Sequence, residues 1–196
     1  MRVLPAAGYR LERWRNGGGS TRVIAAAGRD GDIDGQLPDW DWRLSLADID
    51  GPGPFSILPG VARHLMLVEG GPLSLRVGTA IRTLSAAGDE VRFGGSAPVD
   101  VRPDTAPARV LNLMWRDANL CGRLQRVALP GWRPPVIRGA TVCWLLYLLA
   151  GELGWPGANL GPGDTLLAGS GEGWTPPAVA RGHGILAHLE ALAAAP

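Results

Sequence analysis

The strongest constraint on this chain is a period-two alternation interrupted by glycine and proline. Trp40-Asp41-Trp42-Arg43-Leu44-Ser45-Leu46-Ala47 sets Trp40, Trp42, Leu44 and Leu46 on one face and Asp41, Arg43, Ser45 and Ala47 on the other. Side chains of a pleated strand alternate in this way, so the stretch reads as a strand. Residues 22–25, 63–69, 73–77, 81–84, 90–93, 99–102, 109–116 and 124–129 read as further short strands. Turns such as Asp50-Gly51-Pro52-Gly53-Pro54 and Pro59-Gly60 separate them, and 29 Gly and 17 Pro in 196 residues supply the rest. The continuous apolar run at 142–150 has the length and flanks of a buried strand. The Ala- and Leu-rich segment 185–195 is the best helix candidate.

Two further features organise the chain. Trp14-Arg15-Asn16-Gly17-Gly18-Gly19-Ser20-Thr21 is a glycine triplet leading into a strand, suited to a shaped turn whose ends Asn16 and Thr21 fix by side-chain hydrogen bonds. Leu67-Val68-Glu69-Gly70 followed by a Gly88-Asp89 turn resembles Leu148-Leu149-Ala150-Gly151 followed by a Gly163-Asp164 turn. A repeat of this kind predicts two similar β units, roughly 1–118 and 119–196, within a single domain of 196 residues.

Composition excludes several classes. Nineteen basic and 18 acidic residues leave a net charge of +1, with no field to recruit nucleic acid or an anionic membrane. Every basic residue is Arg, so lysine Schiff-base chemistry and a phosphate-loop lysine are absent. His64, His183 and His188 form no paired metal-ligand spacing, and Cys121 and Cys143 stand in no metal or redox motif. Asp30 to Gly35 reads as a hydrated loop lacking the glutamate spacing of a calcium loop. No signal-peptide layout or membrane-length apolar run is present, so the expectation is a cytoplasmic bacterial protein without cofactor or metal. The eight Trp residues read as core filling, since no basic stripe accompanies them.

What remains is a set of polar residues on predicted strands. Arg43 and Ser45 share a face, Arg63 shares one with Leu65 and Leu67, and Asn112 shares one with Met114. Inside a β fold an arginine fork matches a carboxylate, and Asn or Ser can orient it. The competing expectation is that these arginines are exposed or paired with Asp41, Asp48 or Asp50.

The motifs Trp14 to Thr21, Trp42-Arg43-Leu44-Ser45-Leu46-Ala47, Gly53-Pro54-Phe55-Ser56, Pro59-Gly60-Val61-Ala62-Arg63, Phe93-Gly94-Gly95 and Leu111-Asn112-Leu113-Met114 occur in order. Together they resemble the HutD/Ves family over residues 9–117. The resemblance implies an all-β, bicupin-like fold: two cupin-type β-barrels or jelly rolls from an internal duplication, with few short helices and no metal-binding histidines. It also implies a link to histidine utilisation and a pocket at Asn16, Thr21, Arg43, Ser45, Phe55, Ser56, Arg63, Asn112 and Met114. Ser96 and Val110 stand where the family tends to carry acids.

The combined expectation is a metal-independent binder of a small carboxylate, such as a formylated or formiminated glutamate, in a regulatory role. Two alternatives stand beside it. One is a metal-free isomerase or hydrolase using His64 or Asp48 as proton carrier. The other is a non-catalytic homodimeric scaffold, which an exposed tryptophan patch would mark.

Overall fold

The computed structural model describes residues 1–28, 40–104, 107–133, 140–169, 172 and 175–192; the Asp30 to Gly35 loop and Trp174 lie outside them. The strands run β1 (Arg2–Leu4), β2 (Arg10–Arg13), β3 (Gly19–Gly28), β4 (Trp40–Ile49), β5 (Gly53–Pro54), β6 (Val61–Glu69), β7 (Leu73–Val77) and β8 (Ala80–Leu84). They continue with β9 (Glu90–Gly94), β10 (Val99–Pro103), β11 (Ala108–Arg116), β12 (Leu120–Ala128), β13 (Thr141–Trp155), β14 (Ala158–Leu160), β15 (Thr165–Gly169) and β16 (Val179–Ala191). Among the described residues the only helix is a 3-10 turn at Ala6–Gly8. None is long and apolar enough to cross a membrane.

The all-β expectation holds, with two corrections. The sheets do not close into barrels; they remain open, ending in edge strands such as β2, β8 and β12. Residues 185–191 are strand, not helix, because β16 lies between β13 and β12 and hydrogen-bonds to both. Two-sided pairing and a buried run from Ile185 to Leu189 override the helix propensity of Ala and Leu.

The chain forms two compact units, Arg10–Ala118 and Met1–Tyr9 with Asn119–Pro196. The first contains a six-stranded sheet of order β2-β3-β4-β11-β6-β9 and a four-stranded sheet of order β5-β10-β7-β8. Its core joins Ala47, Ile49, Leu65, Leu67 and Val110 of the larger sheet to Leu73, Leu75, Leu84, Val99 and Val101 of the smaller. Each fully buried Leu contributes about 1.5–3 kcal/mol. Trp40 leaves the face predicted by strict alternation. A register shift opposite Asp41 lets it pack with Ala26, Val61 and Met114.

The second unit is built on the sheet β1-β15-β13-β16-β12, with β14 paired to β13. Leu129, Trp144, Leu146, Leu148, Leu153, Leu166 and Leu186 form its core. Tyr9 ties the N-terminal segment into this unit, its hydroxyl lying 2.7 Å from both the Gly163 carbonyl and Thr165 Oγ1.

The repeat read from the sequence is one turn built twice. In the first unit Leu67 N–H donates to the Asp89 carbonyl at 2.9 Å and Gly88 N–H returns to the Leu67 carbonyl at 2.8 Å. In the second, Leu148 and Asp164 make the same bond at 2.9 Å, and Gly163 returns to Leu148 at 2.8 Å. Gly88 and Gly163 both hold positive φ, 100° and 91°, which a side chain would oppose. Asp89 and Asp164 each also accept backbone N–H bonds on the side-chain carboxylate, from Ser85 and Ala86 and from Gly161 respectively.

Candidate functional site

Alternation on three neighbouring strands delivers the site. On β4, Arg43, Ser45 and Ala47 point to one face; on β11, Met114, Asn112 and Val110; on β6, Arg63, Leu65 and Leu67. Antiparallel register turns these into cross-strand rows: Arg43–Met114–Arg63, then Ser45–Asn112–Leu65, then Ala47–Val110–Leu67. The first two rows, with Ala47 and Val110 of the third, floor a cavity of about 540 Å³.

The walls come from the chain on either side. Glu12, Trp14, Arg15, Asn16 and Thr21 enter from the β2–β3 hairpin, and Pro54 from the end of β5 with Phe55, Ser56 and Leu58 from the segment that follows. The hairpin is shaped by the glycine triplet. Gly17 takes φ +72°, and Gly18 N–H donates to Asn16 Oδ1 at 3.0 Å. A Cβ on Gly19 would overlap the Asp48 carbonyl oxygen and touch the Trp14 ring. Trp14 Nε1 donates to Thr21 Oγ1 at 2.9 Å, and its ring meets Phe55 edge to face at 6.0 Å. Phe55 and Leu58 are anchored by backbone bonds to Val99 and Gly95, each 2.8 Å.

All nine residues named from the sequence line this cavity, and they do so together. Sequence reasoning missed Glu12, Trp14, Arg15, Ala47, Pro54, Leu58, Leu65 and Val110. Trp14 and Pro54 sat inside quoted motifs, and Leu65 and Val110 followed from alternation. Glu12 carried no signal, since Arg10-Leu11-Glu12-Arg13 shows no apolar periodicity. Of the two positions departing from the family pattern, Val110 is on the cavity floor and Ser96 is exposed.

The electrostatics are uneven. Arg43 and Arg63 are 5% and 6% exposed, so neither is a solvated surface charge. Arg43 Nη2 donates to Glu12 Oε2 at 2.8 Å, a partner different from the three aspartates expected. Asp48 serves the opposite face of β4, bonded by Arg22 and, at 2.6 Å, by Arg109 Nε. Arg63 has no carboxylate among the described residues. Its guanidinium stacks over Phe55 at 4.6 Å and Phe93 at 5.2 Å. Burial, and then the nearby Arg43, push its pKa down to about 10, so it remains a cation at neutral pH.

Four polar atoms that line this cavity are buried without a hydrogen-bond partner among the described residues: Arg43 Nε, Ser45 Oγ, Arg63 Nε and Asn112 Oδ1. An unsatisfied buried polar group costs about 1–3 kcal/mol, and an unpaired buried ion costs several. Cation–π contact with two Phe rings returns only about 1–2 kcal/mol. The arrangement can therefore accept an anion with further hydrogen-bonding atoms.

The two proton carriers considered from the sequence are elsewhere. His64 alternates to the other face of β6, fully buried, with Nε2 3.1 Å from Glu90; Asp48 is held by its two arginines. Neither lines the cavity. Among the described residues no three His, Cys, Asp or Glu gather as a metal-ligand set. The described tryptophans are buried or half-buried and form no exposed patch.

Comparison with known proteins then decides the family. The HutD family profile matches residues 6–186. This chain belongs to the HutD family. The match runs well past the motifs at 9–117 and reaches into the second unit. Among its relatives, an uncharacterized protein from the hutC 3' region of Pseudomonas putida is 32% identical over 64% of this chain, and the alignment spans 63% of that protein's length. Protein Ves of Cronobacter sakazakii is 32% identical over 70% of each chain. The solved structure of HutD from Pseudomonas fluorescens SBW25, in a formate condition, is similar with a TM-score of 0.77 and 28% identity, covering 98% of this chain and 99% of the other.

Proposed function

We propose that this HutD-family chain is a metal-independent binder of a small carboxylate, taken up in the cavity of the Arg10–Ala118 unit and serving a regulatory role in the cytoplasm. The observation that carries this reading is Arg63, a buried cation that faces the cavity and is paired with no carboxylate among the described residues. A ligand carboxylate would supply the missing charge through a charge-assisted fork. Asn112 and Ser45, neighbours in the adjacent row, would orient it. Met114, Leu65 and Val110 offer an apolar bed for a short carbon chain.

The hutC-region relative motivates a ligand class, since its genomic neighbourhood points to histidine utilisation. On that footing a formylated or formiminated glutamate is the ligand of choice. The reading asks for no cofactor, nucleic acid or membrane.

The test is a thermal-shift series with butyrate, succinate, N-formylglutamate and formiminoglutamate. A ligand at a hundredfold its Kd adds about 2.7 kcal/mol of stability, a readily measured rise in Tm. The reading expects a rise with at least one of these acids that disappears in Arg63→Met. No rise with any of them, or a rise that survives in Arg63→Met, would refute it.

A further inference from the structure

Among the described residues Glu12 is the one acidic side chain on the cavity wall, against Arg15, Arg43 and Arg63. Arg15 stands exposed at the rim, whereas Arg43 and Arg63 are buried on the floor. Two guanidinium groups on the same sheet face, two strands apart, have backbones separated by about 10 Å. Glu12 spends its charge on one of them: its Oε2 accepts from Arg43 Nη2 at 2.8 Å. Its other oxygen accepts from Arg10 Nη2 at 3.0 Å, which holds the carboxylate in place on the edge strand. The partner of β2 is β3, where Glu12 pairs with Thr21, another wall residue.

Resting on the carboxylate reading above, we infer that Glu12 sets how many carboxylates of the ligand the floor engages, occupying Arg43 so that one open cation remains and any ligand, a dicarboxylate such as a glutamate derivative included, is held on the floor by one carboxylate. The second acid group of a dianion meets a floor whose remaining cation is already neutralised, and it lies near the Glu12 carboxylate, so it gains little. Glu12 thereby acts as a specificity determinant without supplying the main contact. Neutralising it frees Arg43, leaves two buried cations side by side, and turns the floor toward dianions.

The experiment compares butyrate with succinate, which have the same four-carbon chain and differ by one carboxylate, by calorimetric titration at low ionic strength. In Glu12→Gln the preference for succinate over butyrate rises by about tenfold relative to the unmodified chain. Glu12→Asp keeps the charge and stays close to the unmodified ratio. Glu12→Ala is a second neutral variant should Glu12→Gln fold poorly, and it moves the ratio the same way. An unchanged or reduced succinate preference in both neutral variants overturns the inference. So does an equal shift in Glu12→Asp, which would assign the effect to shape. If the unmodified chain binds neither these two acids nor N-formylglutamate nor formiminoglutamate, the carboxylate reading itself falls and takes this inference with it; binding of the glutamate derivatives alone removes the inference and leaves that reading standing. Binding of both acids with no dependence on Glu12 removes the inference alone.

Discussion

Arg43 and Arg63 flank Met114 in a single cross-strand row, both buried, yet only Arg43 meets a carboxylate. A fold selected for stability alone would pair or replace the second arginine, because an unpaired buried charge costs several kcal/mol.

That cost gives the first prediction. Arg63→Met keeps the apolar stem against Phe55 and Phe93 and removes the charge. Its Tm without ligand should equal or exceed that of the unmodified chain, while carboxylate affinity falls at least about a hundredfold. A large drop in Tm would show that Arg63 serves the fold instead.

The glycine triplet gives a contrast within one hairpin. Gly19→Ala drives a Cβ into the Asp48 carbonyl and the Trp14 ring, so it should cost about 2–3 kcal/mol and weaken ligand binding. Gly17 faces open space, and its only obstacle is φ +72°, so Gly17→Ala should cost about 1 kcal/mol. Urea denaturation of the two variants measures the difference.

Asp48 separates structure from binding. It joins Arg22 of β3 to Arg109 of β11 on the face away from the cavity. Asp48→Asn should lose about 1–2 kcal/mol of stability and leave carboxylate affinity unchanged. Loss of binding at full stability would reinstate Asp48 as a working residue.

His188 predicts the acid side of the stability curve. It is buried in the second unit, with Nδ1 3.2 Å from Arg123 Nη2 and Nε2 3.4 Å from Thr141 Oγ1. Burial lowers its pKa and Arg123 adds to this, while Glu190 opposes. Between its ordinary value and that lower one, the unfolded chain holds a proton the folded chain lacks. Stability therefore falls as pH drops through this window. His188→Gln removes the proton, so its Tm should fall less between about pH 7.5 and pH 5.5. His64, lowered by burial and by Arg92, leaves the variant with a residual decline of the same sign.

Much of the site was legible because alternation is local. Once β4, β6 and β11 are recognised, parity alone puts Arg43, Ser45, Arg63, Asn112 and Met114 on defined faces, and register brings the faces together. The Gly-Asp turns were legible because Gly and Asp signal a turn locally, although the bonds that tie them to Leu67 and Leu148 are long-range. Glu12 was hidden because its position depends on a hairpin pairing that its own four-residue strand does not announce. The carboxylate for Arg43 was sought on β4 and its following turn, but Asp48 belongs to the other face. The final strand was misread because Ala and Leu favour helices locally, and only the two neighbouring strands decide otherwise.

The most direct measurement of the central claim is a crystal structure grown with succinate at saturating concentration. One carboxylate is expected on the Arg63 guanidinium, within hydrogen-bond distance of Asn112 or Ser45, with Glu12 still on Arg43. Succinate bound only at the rim, on Arg15 or Arg10, with the Arg63 guanidinium untouched, would contradict it.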